Sequence, residues 1–376
     1  GGSSYTLTSS DVEVSSKTAF SVTLNAADQL NVGGLLNKNG TSSDGGTTYN
    51  LAAADNWVAG AVASADIRDT SGNGITVSNF SNAALSSATY NATSGVLTVT
   101  GTNFVKKNGS NNDIDVSKLS ITGEGGSSYT LTSGDVEVGS NTTFSVTLNE
   151  ADQLNVGGLL NKNGTSSDGG ATYNLAAADN WLAGAAASVN ISDTSGNGIT
   201  VSNVAKPTLS STAYNAASGV LTVTGTNFVK ENGSNNDIDV SKLSITGEGG
   251  SSHSYTLTSS AVEVSSSTQF SVTLNSADQL NVGGLLNKDG TSSDGGAIYT
   301  FAADDDWLTG AAPSVDISVS TGLRSALELD GTNDYVSIPS SSALDFGASD
   351  PFTFEAWVNL DGTGTSEQNI LSKGHD

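Results

Sequence analysis

The sequence predicts an all-β protein built from tandem β-sandwich domains, and three observations support this prediction. Apolar residues alternate with Ser and Thr in short stretches, as in Phe20, Val22 and Leu24, which is the pattern of a half-buried strand. The chain contains 44 Gly among abundant Ser, Thr, Asn and Asp, and this composition suits many short strands joined by turns. The third observation is that the chain repeats itself over a long period.

The repeat is marked by the motif GGSSYTLTS, which begins at Gly1 and at Gly125 and returns, with a two-residue insertion, at Gly249. When residues 1–124 are aligned with residues 125–248, only 20 of the 124 positions differ. This period exceeds the roughly 20–50 residues of solenoid repeats, so each copy should be a whole domain.

Composition and charge exclude several classes of protein. The net charge of −25 repels phosphate backbones, so we expect no nucleic-acid partner. No apolar run approaches the roughly 20 residues of a membrane span, and the absence of Cys excludes disulfides and thiolate chemistry. Because the chain has no Met and begins inside a repeat, we interpret it as a segment of a longer or processed chain.

Residues 1–80 correspond to the later part of the repeat. Tyr5 and Leu7, and then Val12 and Val14, have the alternation of strands. Residues 27–36 suggest a helical turn between strands, and residues 37–46 have the Asn and Gly content of turns. We interpret residues 1–80 as the remainder of a domain whose opening strands were cut off or lie elsewhere.

The domain boundaries are predicted from the place where the copies differ most. Five consecutive differences fall at residues 80–84 against 204–208, and Pro207 reinforces the interpretation of this stretch as a linker. We therefore predict a partial domain at residues 1–80, a complete domain at 81–204, a further copy at 205–322, and the start of a different domain at 323–376.

The start of each complete domain resembles bacterial immunoglobulin-like domains of the TIG type, whose pattern is a Pro, a Gly before a β-run and then Gly-x-Asn-Phe. Pro207 matches the first element in one copy, and Ala83 stands at that position in the other. The matching residues are Gly95, Gly101, Asn103 and Phe104 in one copy and Gly219, Gly225, Asn227 and Phe228 in the next. The match covers the first third of each repeat and implies an immunoglobulin-like β-sandwich.

The last copy departs from the repeat near its end. The strand sequence of residues 198–203 has no counterpart, so either residues such as Val319 take over that edge or the sandwich is open there. Residues 326–339, 352–360 and 370–374 resemble the start of a laminin-G-like, concanavalin-type jelly roll. In that family a calcium-assisted glycan or protein site is common, so the resemblance implies a binding module.

The sequence predicts that the protein is not an enzyme. The two His residues, His253 and His375, lie far apart, and no nucleophile is paired with a base. The carboxylates are numerous, but no pair stands out from the repeat background.

Calcium is the cofactor that the sequence favours. Asn and Asp cluster in one loop of each complete repeat, and hard oxygen ligands in a loop suit Ca²⁺. The candidate ligands are Asn111, Asn112, Asp113 and Asp115 in one copy and Asn235, Asn236, Asp237 and Asp239 in the next. Further candidates are Asp168, Asp179, Asp193 and residues 304–306. The competing interpretation is that these residues form ordinary turns.

The four Trp residues could stack on glycans, but core packing is the more common use of Trp. Three of them, Trp57, Trp181 and Trp307, occupy equivalent positions, and Trp357 lies in the predicted jelly roll.

These expectations together predict a non-enzymatic extracellular protein of the cell surface. It would act as an adhesin-type stalk or scaffold that presents the laminin-G-like module, with neighbouring surface proteins, glycans or further copies of itself as partners. One alternative is a subunit of a self-assembling filament or sheath, since open strand edges invite pairing. A second is the accessory region of a secreted carbohydrate-active enzyme.

Overall fold

The computed structural model describes residues 2–323. The predicted jelly roll, with Trp357, lies outside the described residues. The described part is mostly β, as predicted, and none of its helices is long and apolar enough to cross a membrane. We name residues 2–80 repeat 1, residues 81–204 repeat 2 and residues 205–323 repeat 3.

The complete repeats contain two parts that are useful to distinguish. The front segment is residues 81–124 in repeat 2 and residues 205–248 in repeat 3. The rear segment is residues 125–204 in repeat 2 and residues 249–323 in repeat 3. Residues 2–80 correspond to a rear segment.

Repeat 1 has little regular structure. It contains two short antiparallel strands and one helix: β1 (Val14–Ser16), β2 (Ala19–Phe20) and α1 (Ala26–Leu35). Isolated bridges, such as Gly40 with Val77, join the rest of the repeat.

Repeat 2 forms one eight-stranded sheet. Its elements are β3 (Ala84–Asn91), β4 (Val96–Thr102), β5 (Leu119–Thr122), β6 (Ser128–Thr130), β7 (Val138–Ser140), β8 (Thr143–Thr147), α2 (Glu150–Leu159), β9 (Asn174–Ala177) and β10 (Gly198–Ser202). Short 3-10 helices span Val116–Lys118 and Glu124–Gly126. The strand order is β6-β5-β9-β10-β3-β4-β8-β7.

The two halves of this sheet meet at a parallel pair, because β10 runs alongside β3 with Gly198 opposite Ser87 and Ser202 opposite Asn91. The other strand pairs of the sheet are antiparallel. Buried side chains from both ends of the sheet belong to one hydrophobic core. The sheet therefore encloses a single core to which the front and rear segments both contribute.

Repeat 3 forms two four-stranded sheets over a second core, which also includes Leu154 of α2. Its elements are β11 (Thr208–Asn215), β12 (Val220–Thr226), β13 (Leu243–Thr246), β14 (Ser254–Thr256), β15 (Val264–Ser266), β16 (Gln269–Thr273), α3 (Ser276–Leu285), β17 (Thr300–Ala303) and β18 (Val319–Gly322). Short 3-10 helices span Val240–Lys242 and Gly250–Ser252.

The edge that lacked a counterpart of residues 198–203 is filled by β18. Val319 lies opposite Ala303 in an antiparallel pair with β17, and Leu323 forms a parallel bridge with Thr212 of β11. Val319 therefore takes over the edge beside β17, and beside β11 the residues up to 323 supply the single bridge of Leu323.

The helices are longer than the helical turn expected from the sequence, because each begins with a strong cap. The Asn149 side chain accepts a hydrogen bond from the Asp152 N–H at the start of α2, and Asn25 and Asn275 cap α1 and α3 in the same way.

The prediction that Trp packs in the core is confirmed for Trp181 and Trp307, which are both fully buried. Trp57 is 48% exposed, although the residues around it are nearly the same. Among residues 2–323, no front segment covers this ring, whereas Phe104 and Phe228 pack against the rings of Trp181 and Trp307.

Candidate functional site

In repeat 2 the predicted calcium loop centres on the buried carboxylate of Asp113. This carboxylate accepts hydrogen bonds from the Lys107 N–H (2.6 Å) and the Val138 N–H (3.0 Å). The Lys106 ammonium lies 4.0 Å from it and 2.8 Å from the Glu137 carboxylate. The structure therefore brings Asp113 to Glu137, and a lysine supplies positive charge beside the pair.

The other predicted ligands of this loop have separate structural roles. Asn111 adopts a left-handed backbone conformation (φ 49°), which Asn tolerates better than most residues. The Asn112 N–H donates to Glu137, and its side-chain oxygen is buried with no hydrogen-bond partner in residues 2–323. Asp115 caps the following 3-10 helix by accepting from the Ser117 N–H.

Repeat 3 reproduces this arrangement. The backbone of Asn235 is left-handed, the side-chain oxygen of Asn236 is buried without a described partner, and Asp239 caps a 3-10 helix. The Lys230 ammonium lies 3.0 Å from Glu263 and 4.0 Å from Asp237.

The pKa values of the two carboxyl groups in the repeat 3 cluster shift in opposite directions. Burial raises the pKa of Asp237 to about 6, and the negative charge of Glu263 adds to the rise. Burial also opposes ionisation of Glu263, but hydrogen bonds from the Asn236 N–H and from Lys230 hold its pKa below the usual value. In the part of the chain that the structure describes, no group of three or more His, Cys, Asp or Glu is placed to hold a metal ion. The calcium site stays a prediction.

The further acidic candidates serve different purposes. Asp179 accepts from the Ile191 N–H, 12 residues further along the chain, and Asp193 accepts from the Leu85 N–H of β3. Asp305 accepts from the Ile317 N–H, as Asp179 does in repeat 2. Asp168 reaches across to the next repeat.

A site that the sequence analysis missed lies where one repeat contacts the next. The Lys106 N–H of repeat 2 donates to the Leu30 carbonyl of α1 (3.0 Å). The backbone can approach this closely because Gly34 lies at the contact, where a Cβ would overlap the Lys106 carbonyl oxygen. A Cβ on Gly33 would crowd Val105 in the same way. The two adjacent glycines of α1 thus leave room for the backbone of the following repeat to contact the helix.

The junction between repeats 2 and 3 has the same construction. The Lys230 N–H donates to the Leu154 carbonyl of α2 (2.9 Å), and a Cβ on Gly158 would overlap the Lys230 carbonyl oxygen. Gly157 packs against Val229. Two junctions with equivalent contacts show that the arrangement is a property of the repeat.

A side-chain clamp accompanies each backbone contact. The Asp44 carboxylate accepts from the N–H (3.0 Å) and the hydroxyl of Ser188 in repeat 2. The Asp168 carboxylate accepts from the N–H (2.9 Å) and the hydroxyl (2.6 Å) of Ser314 in repeat 3. These hydrogen bonds lower the pKa of Asp168. Repeats 1 and 2 therefore each bind a serine of the following repeat through an Asp in a loop.

The helix of repeat 3 shows the same surface without a described neighbour. Leu280 is 80% exposed, whereas the equivalent Leu30 and Leu154 are only 7% and 6% exposed. No described atom lies within 4 Å of a Cβ built on Gly283 or Gly284. The Gly-Gly pair near the end of a helix was the sequence signal for this site, since Gly destabilises a helix interior and needs a packing reason.

Comparison with known proteins adds no assignment. A scan against protein-family models found no match, and a search of curated proteins found none.

Proposed function

We propose that the chain is a non-enzymatic structural protein of the cell exterior, in which immunoglobulin-like sandwiches form a stalk or scaffold that presents the laminin-G-like module. The observation that carries the proposal is the recurring junction between repeats. Equivalent atoms make the contact at both junctions, so each repeat is held in the same orientation relative to the next. A flexible linker would not fix this orientation.

The polarity of the junction supports this function. The helix and the acidic loop of one repeat contact the Val-Lys backbone and the Ser of the next, so the interface is head-to-tail. Head-to-tail contacts that do not close into a ring extend an array. The strongly acidic composition would keep such an array soluble.

The test is to break one junction and measure the relation between its two repeats. In Gly158→Leu the new side chain displaces Lys230, so we expect the distance between repeats 2 and 3 to become variable. The chain has no Cys, which allows spin labels at Ser145→Cys and Ser271→Cys, two exposed strand positions. Double electron–electron resonance should give a narrow distance distribution in the parent and a broad one in Gly158→Leu.

Gly284→Leu is the matched control, because it makes the same change at the equivalent position of α3, where no described residue is displaced. We expect this variant to keep the narrow distribution. Equal distributions in the parent and Gly158→Leu, or a broad distribution in the parent, would contradict the proposal.

Calcium ligation by the loop of residues 235–239 remains part of the proposal. A bound cation stabilises the ionised form of a carboxylate, so it should lower the pKa of Asp237 from its value of about 6. The measurement is a carbon-13 NMR titration of the Asp237 carboxyl group in millimolar CaCl₂, with NaCl of equal ionic strength as the control. A midpoint that is the same in both salts argues against ligation by Asp237.

A further inference from the structure

A lysine and a buried aspartate lie side by side in both complete repeats, and a second carboxylate contacts the lysine. In repeat 2 the Lys106 Nζ is 4.0 Å from the Asp113 Oδ2 and 2.8 Å from the Glu137 Oε2. The Asp113 side chain is 0% exposed, whereas those of Lys106 and Glu137 are 29% and 24% exposed. The amine therefore lies between a carboxylate that is closed to water and one that is open to it.

Repeat 3 places the same three groups at nearly the same distances. The Lys230 Nζ is 4.0 Å from the Asp237 Oδ2 and 3.0 Å from the Glu263 Oε2, and the Asp237 side chain is again 0% exposed. The residue that follows the lysine differs between the copies, since it is Lys107 in repeat 2 and Glu231 in repeat 3. The cluster keeps its geometry despite this change of charge, so it is a property of the repeat.

Backbone donors hold both oxygens of the buried aspartate. In repeat 2 the Asp113 Oδ1 accepts from the Lys107 N–H (2.6 Å) and the Oδ2 accepts from the Val138 N–H (3.0 Å). Donors fixed in this way stabilise the negative charge that develops on a carboxyl oxygen when a nucleophile attacks its carbon. They also keep the Asp113 Cγ in one place beside the lysine, which replaces the encounter of two separate molecules.

Glu137 is placed to take a proton from the lysine. Its Oε1 accepts from the Asn112 N–H (2.9 Å), which leaves its Oε2 facing the Lys106 Nζ at 2.8 Å. A lysine is a nucleophile only as the free amine, and a carboxylate within hydrogen-bond distance can remove the proton. The three side chains therefore supply a nucleophile, a base and an electrophilic carbon.

The surroundings of Asp113 favour an uncharged product. The adjacent Ile114 and the hydrogen-bonded Val138 are 0% and 3% exposed, and both belong to the hydrophobic core of repeat 2. Burial of a charge in such surroundings is costly, and an ammonium that is shared with Glu137 offsets only part of the cost. An amide carries no charge, so its formation removes this cost.

We propose that the side chains of Lys106 and Asp113, and likewise those of Lys230 and Asp237, join through an amide bond. The ammonium gives a proton to the neighbouring Glu, and the free Nζ attacks the Cγ of the Asp. The Nζ–Cγ bond forms and one Cγ–O bond breaks. The two protons that the ammonium loses leave with that oxygen as water, and the other oxygen becomes the amide carbonyl. An ammonium and a carboxylate thus become a neutral amide and water, without an oxidant or a reductant.

The bond would fix the residue through which one repeat contacts the preceding one, because the Lys106 N–H donates to the Leu30 carbonyl. It forms once at each site without turnover, so it goes beyond the structural role proposed above and does not depend on it. An amide at Asp237 would take away the carboxylate that calcium ligation requires. The two proposals therefore exclude one another at that residue, and the mass of the chain decides between them.

The experiment measures the intact mass of the full chain by mass spectrometry under denaturing conditions. Each amide removes one water, so we expect the parent to be lighter than its sequence mass by two waters. Lys106→Arg and Glu137→Gln should each restore one water, after allowance for the mass of the substitution. The reason is that an Arg guanidinium stays protonated and a Gln side chain is not a base.

A trypsin digest locates the bond in repeat 2. The amide joins the peptide that ends at Lys107 to the peptide of residues 108–118, and fragmentation should place the link between Lys106 and Asp113. Lys107→Arg is the matched control, because it changes the adjacent lysine and keeps the trypsin site. Both waters should still be missing in this variant.

Three outcomes would overturn the proposal. A parent with its full sequence mass would show that the cluster is an ion pair only, and this measurement is decisive even where a variant fails to fold. A loss of water that persists in Lys106→Arg would place the dehydration elsewhere, such as in the cyclisation of an Asp with its own backbone. A water restored by Lys107→Arg as well as by Lys106→Arg would show that the loss does not depend on the geometry of the cluster.

Discussion

At the scale of single residues, the complete repeats depend on buried carboxylates that are satisfied by hydrogen bonds. Asp152 is fully buried at the start of α2 and accepts from the N–H and hydroxyl groups of both Thr132 and Ser133 and from the Tyr129 hydroxyl. It joins the helix to the loop after β6. A buried charge is tolerated only where donors of this kind replace water.

Asp152→Asn should destabilise repeat 2 by at least about 2 kcal/mol, because an amide loses the charge and turns one acceptor into a donor that faces donors. Burial opposes ionisation of Asp152, but the hydrogen bonds from Ser133 and Thr132 hold its pKa below the usual value. Its contribution to stability is therefore fully present above the unfolded pKa of about 3.9 and is lost as pH falls through the lower folded pKa.

Urea unfolding of the parent and Asp152→Asn at pH 7 and at pH 2.5 measures this effect. The difference in unfolding free energy should be smaller at the lower pH. Asp66→Asn, at an exposed ion pair with Arg68, is the control and should change stability by less than about 1 kcal/mol. A difference that is independent of pH would show that the charge of Asp152 is not the cause.

At the scale of elements, repeat 3 shows how a different sequence fills the same strand position. Val319 and Gly322 lie beside β17 where Asp193 and Gly198 lie beside β9, with two residues fewer between them, and Leu323 takes the position of Ile199. The replacement works because main-chain hydrogen bonds do not depend on side-chain identity, and because Leu323 and Ile199 both bury an apolar side chain.

Strand β11, which Leu323 contacts, contains a buried polar group whose effect on stability can be tested. Thr212 of β11 is 1% exposed, and its hydroxyl has no hydrogen-bond partner in residues 2–323, whereas repeat 2 has Ala88 at this position. Thr212→Ala should leave stability unchanged or raise it by about 1 kcal/mol, because it removes a buried unsatisfied hydroxyl.

The reverse substitution, Ala88→Thr, provides the matched comparison and should destabilise repeat 2. Thermal unfolding of both variants checks the pair. A loss of stability in Thr212→Ala would mean that the hydroxyl has a role that the geometry does not reveal.

At the scale of the whole molecule, nearly identical sequences have different environments according to their neighbours. The Trp of the rear segment is buried in repeats 2 and 3 and half exposed in repeat 1, and the Leu of the helix is buried in repeats 1 and 2 and exposed in repeat 3. A rear segment needs a front segment to form a core, and a helix needs a following repeat to cover it. The array is therefore polar, with a different unsatisfied surface on its first and last described repeats.

The mostly β structure and the buried Trp of the complete repeats could be predicted from the sequence alone. Both depend on local features, namely the alternation of apolar and polar residues and the tendency of Trp to be buried. The acidic loop was recognised, but its composition could not separate a metal ligand from a turn, since Asn and Asp suit both. Long-range pairing decided the rest. The front and rear segments of repeat 2 share one sheet only because β10 returns beside β3, and the paired glycines have a purpose only once the backbone of the next repeat lies against them.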